Sequence, residues 1–311
     1  MPQLIRRRTI LAKIETTYGT DSTPTGSANA ILIRALNVQP VASTVVQRDN
    51  YRPFLGNFEQ LLADSHVQID FEVEMAGAGA AGTAPAYGPL LRACGLSETI
   101  SAGVSVTYAP ISSAFESVTL YFNNDGTQHK ITGARGSVEL QINARQIPVY
   151  RFTFMGIYNA PTAVALPTVS YSGFQTPLVA NNTNTTGFSF LSASPVLESL
   201  NLNVTNSVEF RTLIGSQYVQ ISDRKAAGTA VFEAPSIATK DYFAAAASDG
   251  TLGDLAITHG TTAGNKVEIV SSTIDIANPT YADNGGIAML SVPFVAVPTT
   301  AGNDEFSIIV K

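Results

Sequence analysis

The sequence contains no tryptophan and only one cysteine, Cys94, in 311 residues. One cysteine cannot form an intrachain disulfide, and it argues against a metal site built from cysteines. No apolar run approaches the roughly 20 residues that a transmembrane helix requires. Arg6–Arg8 resembles the basic start of a signal peptide, but the apolar stretch after it ends at Lys13. The sequence therefore predicts a protein that is made in the cytoplasm and has no membrane segment.

Basic residues are also few. The net charge is −6, with 12 Lys+Arg and 12 Asp+Glu in residues 1–158 but only 6 and 12 in residues 159–311. Proteins that grip nucleic acid need clustered lysine and arginine to displace counterions from phosphates. This chain has the opposite balance, so we expect it to repel DNA rather than bind it.

One glycine-rich stretch matches a nucleotide-binding pattern. Residues 77–82 read Gly-Ala-Gly-Ala-Ala-Gly and lie between a predicted strand and a predicted helix. A dinucleotide fold requires a parallel strand buried on both faces, whereas residues 66–75 have one acidic face. It also requires an acidic residue about 20 positions further on at a strand end, and only Glu98 in a turn-like context is near. We interpret the stretch as a flexible loop.

The sequence has no convergent set of catalytic residues. Its three histidines, His66, His129 and His259, are scattered without partners at metal-ligand spacing. No G-x-S-x-G elbow is present. The sequence therefore predicts no catalytic residue, no metal and no cofactor.

A strand pattern occurs twice along the chain. Residues 129–140 align with 265–276, matching Lys130 with Lys266 and Val-Glu-Leu with Ile-Asp-Ile. Residues 51–56 and 210–215 share an aromatic residue, an arginine, two apolar residues and a glycine. Leu-Asn-Val occurs at 36–38 and again at 202–204. Repeats in the same order indicate duplication, so we interpret the chain as two copies of one β-rich unit.

The predicted organisation follows from this repeat. Residues 1–30 are turn-rich and are interpreted as an N-terminal arm or irregular lead-in. Residues 31–158 form the first unit, 159–195 a polar linker and 196–311 the second unit. Each unit is predicted to be a β-sandwich with one short flanking α-helix, and the fold class is mainly β. The N-cap of the first helix is predicted at Thr83, and that of the second at Ser236 or Thr239. Asn124-Asp125-Gly126 predicts the turn of a β-hairpin.

Residues 66–75 show the cleanest alternation in the chain. Valine, isoleucine, phenylalanine and methionine side chains alternate with Gln68, Asp70, Glu72 and Glu74. The pattern predicts a strand with one buried and one acidic face, and Glu233 aligns with Glu74 in the second copy. Carboxylates two residues apart on one face are in most cases a solvated stripe rather than an acid–base pair.

The segment from Arg48 to Ser65 is a long loop that is too apolar for disorder. Its large side chains include Tyr51, Phe54, Leu55 and Phe58. We expect them to be buried against another copy of the chain.

Leu11-Ala12-Lys13-Ile14-Glu15-Thr16-Thr17-Tyr18-Gly19-Thr20-Asp21 is followed by Pro24-Thr25-Gly26 and Asn29-Ala30-Ile31, and further on by the loop at 51–56 and the strand after it. These segments resemble the start of tail tube (major tail) proteins of long-tailed bacteriophages. It is clearest over about the first 160 residues. The resemblance implies β-sandwich domains in rings of six, stacked into a tube that conducts DNA.

This chain departs from that family pattern because it carries two copies of the domain. The resemblance and the duplication together imply a trimeric, pseudo-hexameric ring in the virion, assembled in the host cytoplasm. Expected partners are the chain itself, the tape measure protein and tail terminator or tip proteins, while DNA passes without specific contacts. The predicted lumen-facing acids are Asp70, Glu72, Glu74 and Glu233. The predicted residues of the inter-subunit or inter-ring loops are Tyr51, Arg52, Phe54, Leu55, Phe58, Phe210 and Arg211.

Two other classes of function are considered. A tail-tip or adhesin-like protein that binds receptors or carbohydrates usually displays clustered surface aromatics, and here there is no tryptophan and the other aromatics are dispersed among strands. An enzyme requires a constellation that the chain lacks.

Overall fold

The computed structural model describes residues 3–248 and 250–311, and these residues form mainly β-strands. The strands of the N-terminal part are β1 Arg8–Ile14, β2 Ala30–Ile31, β3 Arg34–Ala42, β4 Val45–Val46, β5 Leu61–Leu62, β6 His66–Glu74, β7 Leu96–Ser101, β8 Ser105–Pro110, β9 Val118–Asn124, β10 Thr127–Asn143, β11 Val149–Tyr158 and β12 Thr162–Ala163. Those of the C-terminal part are β13 Thr185–Phe190, β14 Leu197–Asn203, β15 Asn206–Leu213, β16 Ser216–Arg224, β17 Ala227–Glu233, β18 Gly253–His259, β19 Val267–Ile276, β20 Thr280–Asn284, β21 Ile287–Ala296 and β22 Ser307–Val310. The helices are α1 Gly26–Asn29, α2 Gly88–Ala93 and α3 Tyr242–Ala246.

One antiparallel sheet runs through both parts of the chain. Its strands lie in the order β3, β6, β11, β10, β14, β17 and β21. The end of β19 and the whole of β20 pair with the far edge of β21 and act as its eighth strand. We call this layer the eight-strand sheet; it passes from the N-terminal into the C-terminal part where β10 meets β14.

A second layer covers one face of the eight-strand sheet. In the N-terminal part it contains β1, β9 and the beginning of β10; in the C-terminal part it contains β13, β18 and the beginning of β19. The C-terminal strand β22 pairs with both β19 and β8, and so connects the two parts a second time. Apolar side chains between the layers form one buried cluster that includes Phe71, Phe152 and Phe232.

The alternation of β6 confirms its sequence-based prediction. Val67, Ile69, Phe71 and Val73 are buried against the second layer. Their polar neighbours point to the opposite face of the sheet. The hairpin predicted around Asn124-Asp125-Gly126 is also confirmed, because β9 and β10 pair on either side of that turn.

The structure corrects the expectation of an irregular lead-in. Residues Arg8–Ile14 form β1, which pairs along its whole length with β9 and buries Ile10 and Leu11. The pattern is difficult to recognise in the sequence because Ile10-Leu11-Ala12 is buried on both faces and so lacks alternation. The end of the predicted linker likewise belongs to a sheet, as β13.

The helix boundaries differ from the predicted ones. Thr83 does not begin α2, which starts at Gly88 with Pro89 in its first turn and ends before Gly95. In α3 the N-cap is Asp241, whose side chain accepts a hydrogen bond from the Ala244 N–H at 2.8 Å, rather than Ser236 or Thr239.

The glycine-rich stretch at 77–82 is not a free loop. The Gly77 N–H donates to Asn265 Oδ1 at 2.8 Å, and the Gly79 N–H donates to the Gly264 carbonyl at 2.8 Å. A Cβ on Gly77 would lie 2.1 Å from the Gly264 oxygen. Glycine is needed here because two backbones from different parts of the chain approach closely.

Candidate assembly surfaces

The polar face of the eight-strand sheet carries all four predicted acidic residues. Asp70, Glu72 and Glu74 lie on β6 opposite Thr153, Arg151 and Val149 of β11. Glu233 lies on β17 opposite Met289 and is exposed. The structure therefore places these side chains on one continuous surface that faces away from the core.

Two arginines form hydrogen bonds with Glu72, and the sequence pattern did not predict either contact. The Arg34 Nε donates to Glu72 Oε2 at 2.9 Å, and Arg151 Nη2 donates to Oε1 at 3.0 Å. Burial alone would raise the pKa of Glu72, but the hydrogen bonds and charges of both arginines outweigh it and hold the pKa below its ordinary value. Part of the predicted acidic stripe is thus neutralised within the chain.

The pairing of Glu72 predicts an acid-sensitive contribution to stability. Because the folded-state pKa lies below the ordinary value of 4.5, this contribution is present above that pH and is lost as the pH falls through the lowered pKa. We expect Glu72→Gln to reduce the free energy of unfolding at pH 7 by about 1.5–3 kcal/mol, the range for hydrogen bonds to charged groups. Urea unfolding of both proteins from pH 7 to pH 3 measures this; two parallel pH curves would contradict it.

The two edges of the eight-strand sheet are open among the described residues. At one edge β3 pairs with β6 alone. At the other edge the end of β19 and β20 pair with β21 on one side, and all five residues of β20 are exposed. Open edges present unpaired backbone N–H and C=O groups and are templates for pairing with another chain.

The joint between β10 and β14 shows how two such edges meet inside the chain. Glu139 lies opposite Asn203, and the ladder continues to Asn143 opposite Ser199. The Val204 N–H donates to the Val138 carbonyl at 3.0 Å at one end of the joint. Asn201 Nδ2 also donates to Glu139 Oε1 at 3.1 Å across it.

The predicted apolar loop forms an exposed hairpin, which we call arm 1 (residues 43–65). Its strands β4 and β5 pair only through Val45–Leu62 and Val46–Leu61. Tyr51 and Leu55 are fully exposed, and Phe54 is 64% exposed. The guanidinium of Arg52 lies over the rings of Phe54 and Phe58, at 4.7 and 4.2 Å from their centroids. Arm 1 thus presents apolar side chains to solvent.

The matching segment of the C-terminal part forms a longer hairpin, which we call arm 2 (residues 206–224). It comprises β15 and β16 and contains Phe210 and Arg211. Phe210 stacks on His66 at 4.9 Å between ring centroids. Arg135 Nη1 donates to the Val219 carbonyl at 2.9 Å, and the Val219 N–H donates to the Tyr18 hydroxyl at 2.6 Å. Ring stacking and hydrogen bonds therefore hold arm 2 against the N-terminal part of the chain.

The described residues contain no group of three or more His, Cys, Asp and Glu side chains that could hold a metal ion. Among those same residues, no helix has the length and apolarity to cross a bilayer. The candidate functional surfaces are the charged polar face of the sheet, the two open sheet edges and the exposed apolar side chains of arm 1.

Comparison with known proteins identifies the family of the chain. The sequence profile of a family described as phage tail tube protein matches residues 5–296. No curated protein matches the chain. Proteins of this family are structural components of the virion tail that assemble into stacked tubes. Since the match spans nearly the whole sequence, the chain belongs to the phage tail tube protein family.

Proposed function

We propose that three copies of this chain close into a pseudo-hexameric ring and that stacked rings form a conduit for DNA ejection. The observation that carries the proposal is the eight-strand sheet, which spans both parts of one chain and is open at each edge among the described residues. A sheet with two complementary open edges joins head to tail, and a closing rotation turns such joints into a ring.

The order of the strands supports two copies of one unit, residues 31–158 and 196–311. The N-terminal part of the sheet runs β3, β6, β11, β10, and the C-terminal part runs β14, β17, β21, β19. In each part a short helix follows the second of these strands, β6 or β17. An arm connects the first strand with the second in both parts, so the connections also agree.

The internal joint provides a template for the joint between chains. In the sequence repeat Leu140 corresponds to Ile276, and Leu202 corresponds to Leu36. Because Leu140 lies opposite Leu202 in the β10–β14 ladder, the repeat pairs Ile276 of one copy with Leu36 of the next. The same correspondence places Asp275 opposite Asn37. In this pairing the β19 edge of one copy forms hydrogen bonds with the β3 edge of the next, so neither edge remains open.

The dimensions of such a ring suit a conduit. Three chains with eight strands each give 3 × 8 = 24 strands around the lumen. With strands about 4.8 Å apart and tilted by about 40°, the backbone circle is roughly 50 Å across. This leaves a central channel wide enough for a DNA duplex after side chains are added.

The proposed lumen is lined by the polar sheet face and is net negative. Its strands carry more carboxylates than guanidinium groups on this face: Asp70, Glu72, Glu74, Glu139, Glu233 and Asp275, against Arg34, Arg135 and Arg151. Like charge prevents phosphates from adhering to the wall. A tape measure protein would occupy this channel during assembly, and terminator or tip proteins would cap open ends of the tube.

Negative-stain microscopy of the purified protein tests this function. We expect rings or rods of uniform width at high protein concentration. Dispersed single particles under all conditions would contradict it and favour a receptor-binding tail protein instead.

A further inference from the structure

We infer that arm 1 of one copy packs across the C-terminal part of the adjacent copy in the same ring, with Tyr51 over Lys225. The inference rests on the proposed ring and adds a second contact, outside the sheet edge, between neighbouring copies. Its basis is the way in which arm 2 packs within the chain.

Arm 2 buries one face against the N-terminal part. Val219 and Ile221 are 0% and 5% exposed, although both belong to a hairpin that projects from the sheet. Ile221 lies beside Gly95 and Phe115, and Phe210 on the facing strand stacks on His66. His66 is the first residue of β6, so arm 2 lies across the beginning of that strand.

Arm 1 aligns with arm 2 without a gap from residue 51 to the next strand. Tyr51 corresponds to Phe210 with an offset of 210 − 51 = 159, and Glu74 corresponds to Glu233 with the same offset, 233 − 74 = 159. No insertion separates these two matches. Leu62 therefore corresponds to Ile221, and His66 corresponds to Lys225.

Two apolar positions of arm 2, Phe210 and Ile221, are also apolar in arm 1 but are exposed there, whereas the position of Val219 is occupied by Gln60. Leu62 is 59% exposed where Ile221 is buried, and Tyr51 is fully exposed where Phe210 is stacked. The surface that arm 2 covers belongs to the part of the chain that precedes it. In a closed ring, the part that precedes arm 1 is the C-terminal part of the adjacent copy, which makes a second copy of this chain the occupant.

Tyr51 and Lys225, which correspond to Phe210 and His66 in the repeat, have complementary chemistry. Lys225 precedes β17 as His66 begins β6. The Lys225 side chain is 81% exposed and forms an ion pair with Asp223 at 3.3 Å. An ammonium group over a tyrosine face is attracted by the ring electrons. Tyr51 and Lys225 can therefore replace the Phe210–His66 stack with a cation–π contact.

Docking requires a change of register in arm 1. In arm 2 Phe210 lies opposite Val219, which corresponds to Tyr51 opposite Gln60. In the free chain Val45 lies opposite Leu62, and the same ladder extended by two residues would place Gln47 opposite Gln60. The difference is four residues. An even slip keeps each side chain on the same face of the hairpin, so the apolar side chains remain directed toward one surface.

Site-specific crosslinking tests the contact. Tyr51 and Lys225 are both exposed in the free chain, so we expect the Tyr51→Cys/Lys225→Cys variant to fold. The variant loses the cation–π contact but retains Phe54 and Leu55 of arm 1 and the sheet-edge joints, so we expect it to polymerise at a higher protein concentration than the parent requires. Assembled protein is treated with a short bis-maleimide linker and separated on a denaturing gel. Native Cys94 is fully buried, and burial raises its thiol pKa well above the ordinary value, so it stays unreactive. The His66→Cys/Phe210→Cys variant is the matched control, because it joins the equivalent positions within one chain.

We expect crosslinked species to end at three chains, with at least tenfold more product than either single variant gives. A ladder that extends beyond three chains would place arm 1 against the next ring and overturn the inference. Normal tubes without crosslinked product would also overturn it, while the ring itself would stand. Absence of rings in the parent protein would instead refute the proposed function.

Discussion

Replacing Val38 with proline is expected to abolish ring closure and to leave a folded, soluble monomer. Val38 corresponds to Val204 in the repeat, and the Val204 N–H donates across the internal joint to the Val138 carbonyl. The Val38 N–H is therefore expected to point to the open edge of β3. Proline removes that donor and places its ring at the edge, where natural edge strands use proline to prevent pairing.

The expected size of the effect is large because every joint in the ring is affected. An acceptor left unpaired in the joint costs about 1–3 kcal/mol, and the clash of the proline ring adds to this. A loss of about 3 kcal/mol corresponds to roughly a hundredfold weaker association at each of the three joints. Sedimentation velocity measures the loss of rings directly.

The matched control is Val38→Ala, which removes the same side-chain packing but retains the N–H. We expect it to form rings, with a thermal stability similar to that of Val38→Pro. If the proline variant assembled as well as the alanine variant, the β3 edge would not be the joint.

The double variant Tyr51→Ala/Phe54→Ala is expected to remain soluble and to lose polymerisation. Both rings are exposed in the free chain, so their removal leaves the fold intact. An aromatic side chain buries roughly 150–250 Å² when it is covered, and at about 25 cal/mol per Å² each ring contributes several kcal/mol of contact energy at most. Removing both rings therefore costs more contact free energy than a weak interface between copies can lose and still form.

Ile100→Ala/Val104→Ala is the control for this variant. These apolar side chains lie on the β7–β8 hairpin and are 55% and 63% exposed. We expect the control to polymerise normally in light scattering and microscopy. Tubes of normal length and yield from the Tyr51/Phe54 variant would refute the role of arm 1.

Local patterns predicted the elements that have one buried face. The strict alternation of residues 66–75 identified β6, and the Asn124-Asp125-Gly126 turn identified the β9–β10 hairpin. The same alternation placed Asp70, Glu72 and Glu74 on the polar face. These predictions succeeded because period-two burial and turn chemistry are local properties of a sequence.

Long-range pairing could not be predicted from the sequence in this way. The arginines on Glu72 come from β3 and β11, 38 and 79 residues away in sequence. The pairing of β22 with β8 joins strands about 200 residues apart in sequence, for example Ile308 opposite Tyr108. Neither contact has a local signal, since polar residues on an alternating strand look alike whether or not a partner lies beside them.

The sequence also could not predict that arm 2 is packed against the chain while arm 1 is exposed. Residues 51–56 and 210–215 share a pattern, yet Phe210 stacks on His66 while Tyr51 is exposed. The difference arises because the part of the molecule that receives arm 2 is in the same chain. For arm 1 the proposed receiving surface belongs to another copy, and a single sequence carries no information about its position.

The number of chains in a ring tests the central proposal most directly. Cryo-electron microscopy of assembled tubes at a resolution that separates strands counts both chains and strands in one ring. We predict three chains and 24 lumen-facing strands, with Leu36 of one copy opposite Ile276 of the next. A ring of six chains, or a lumen wall in which β3 and the end of β19 do not pair, would contradict the account.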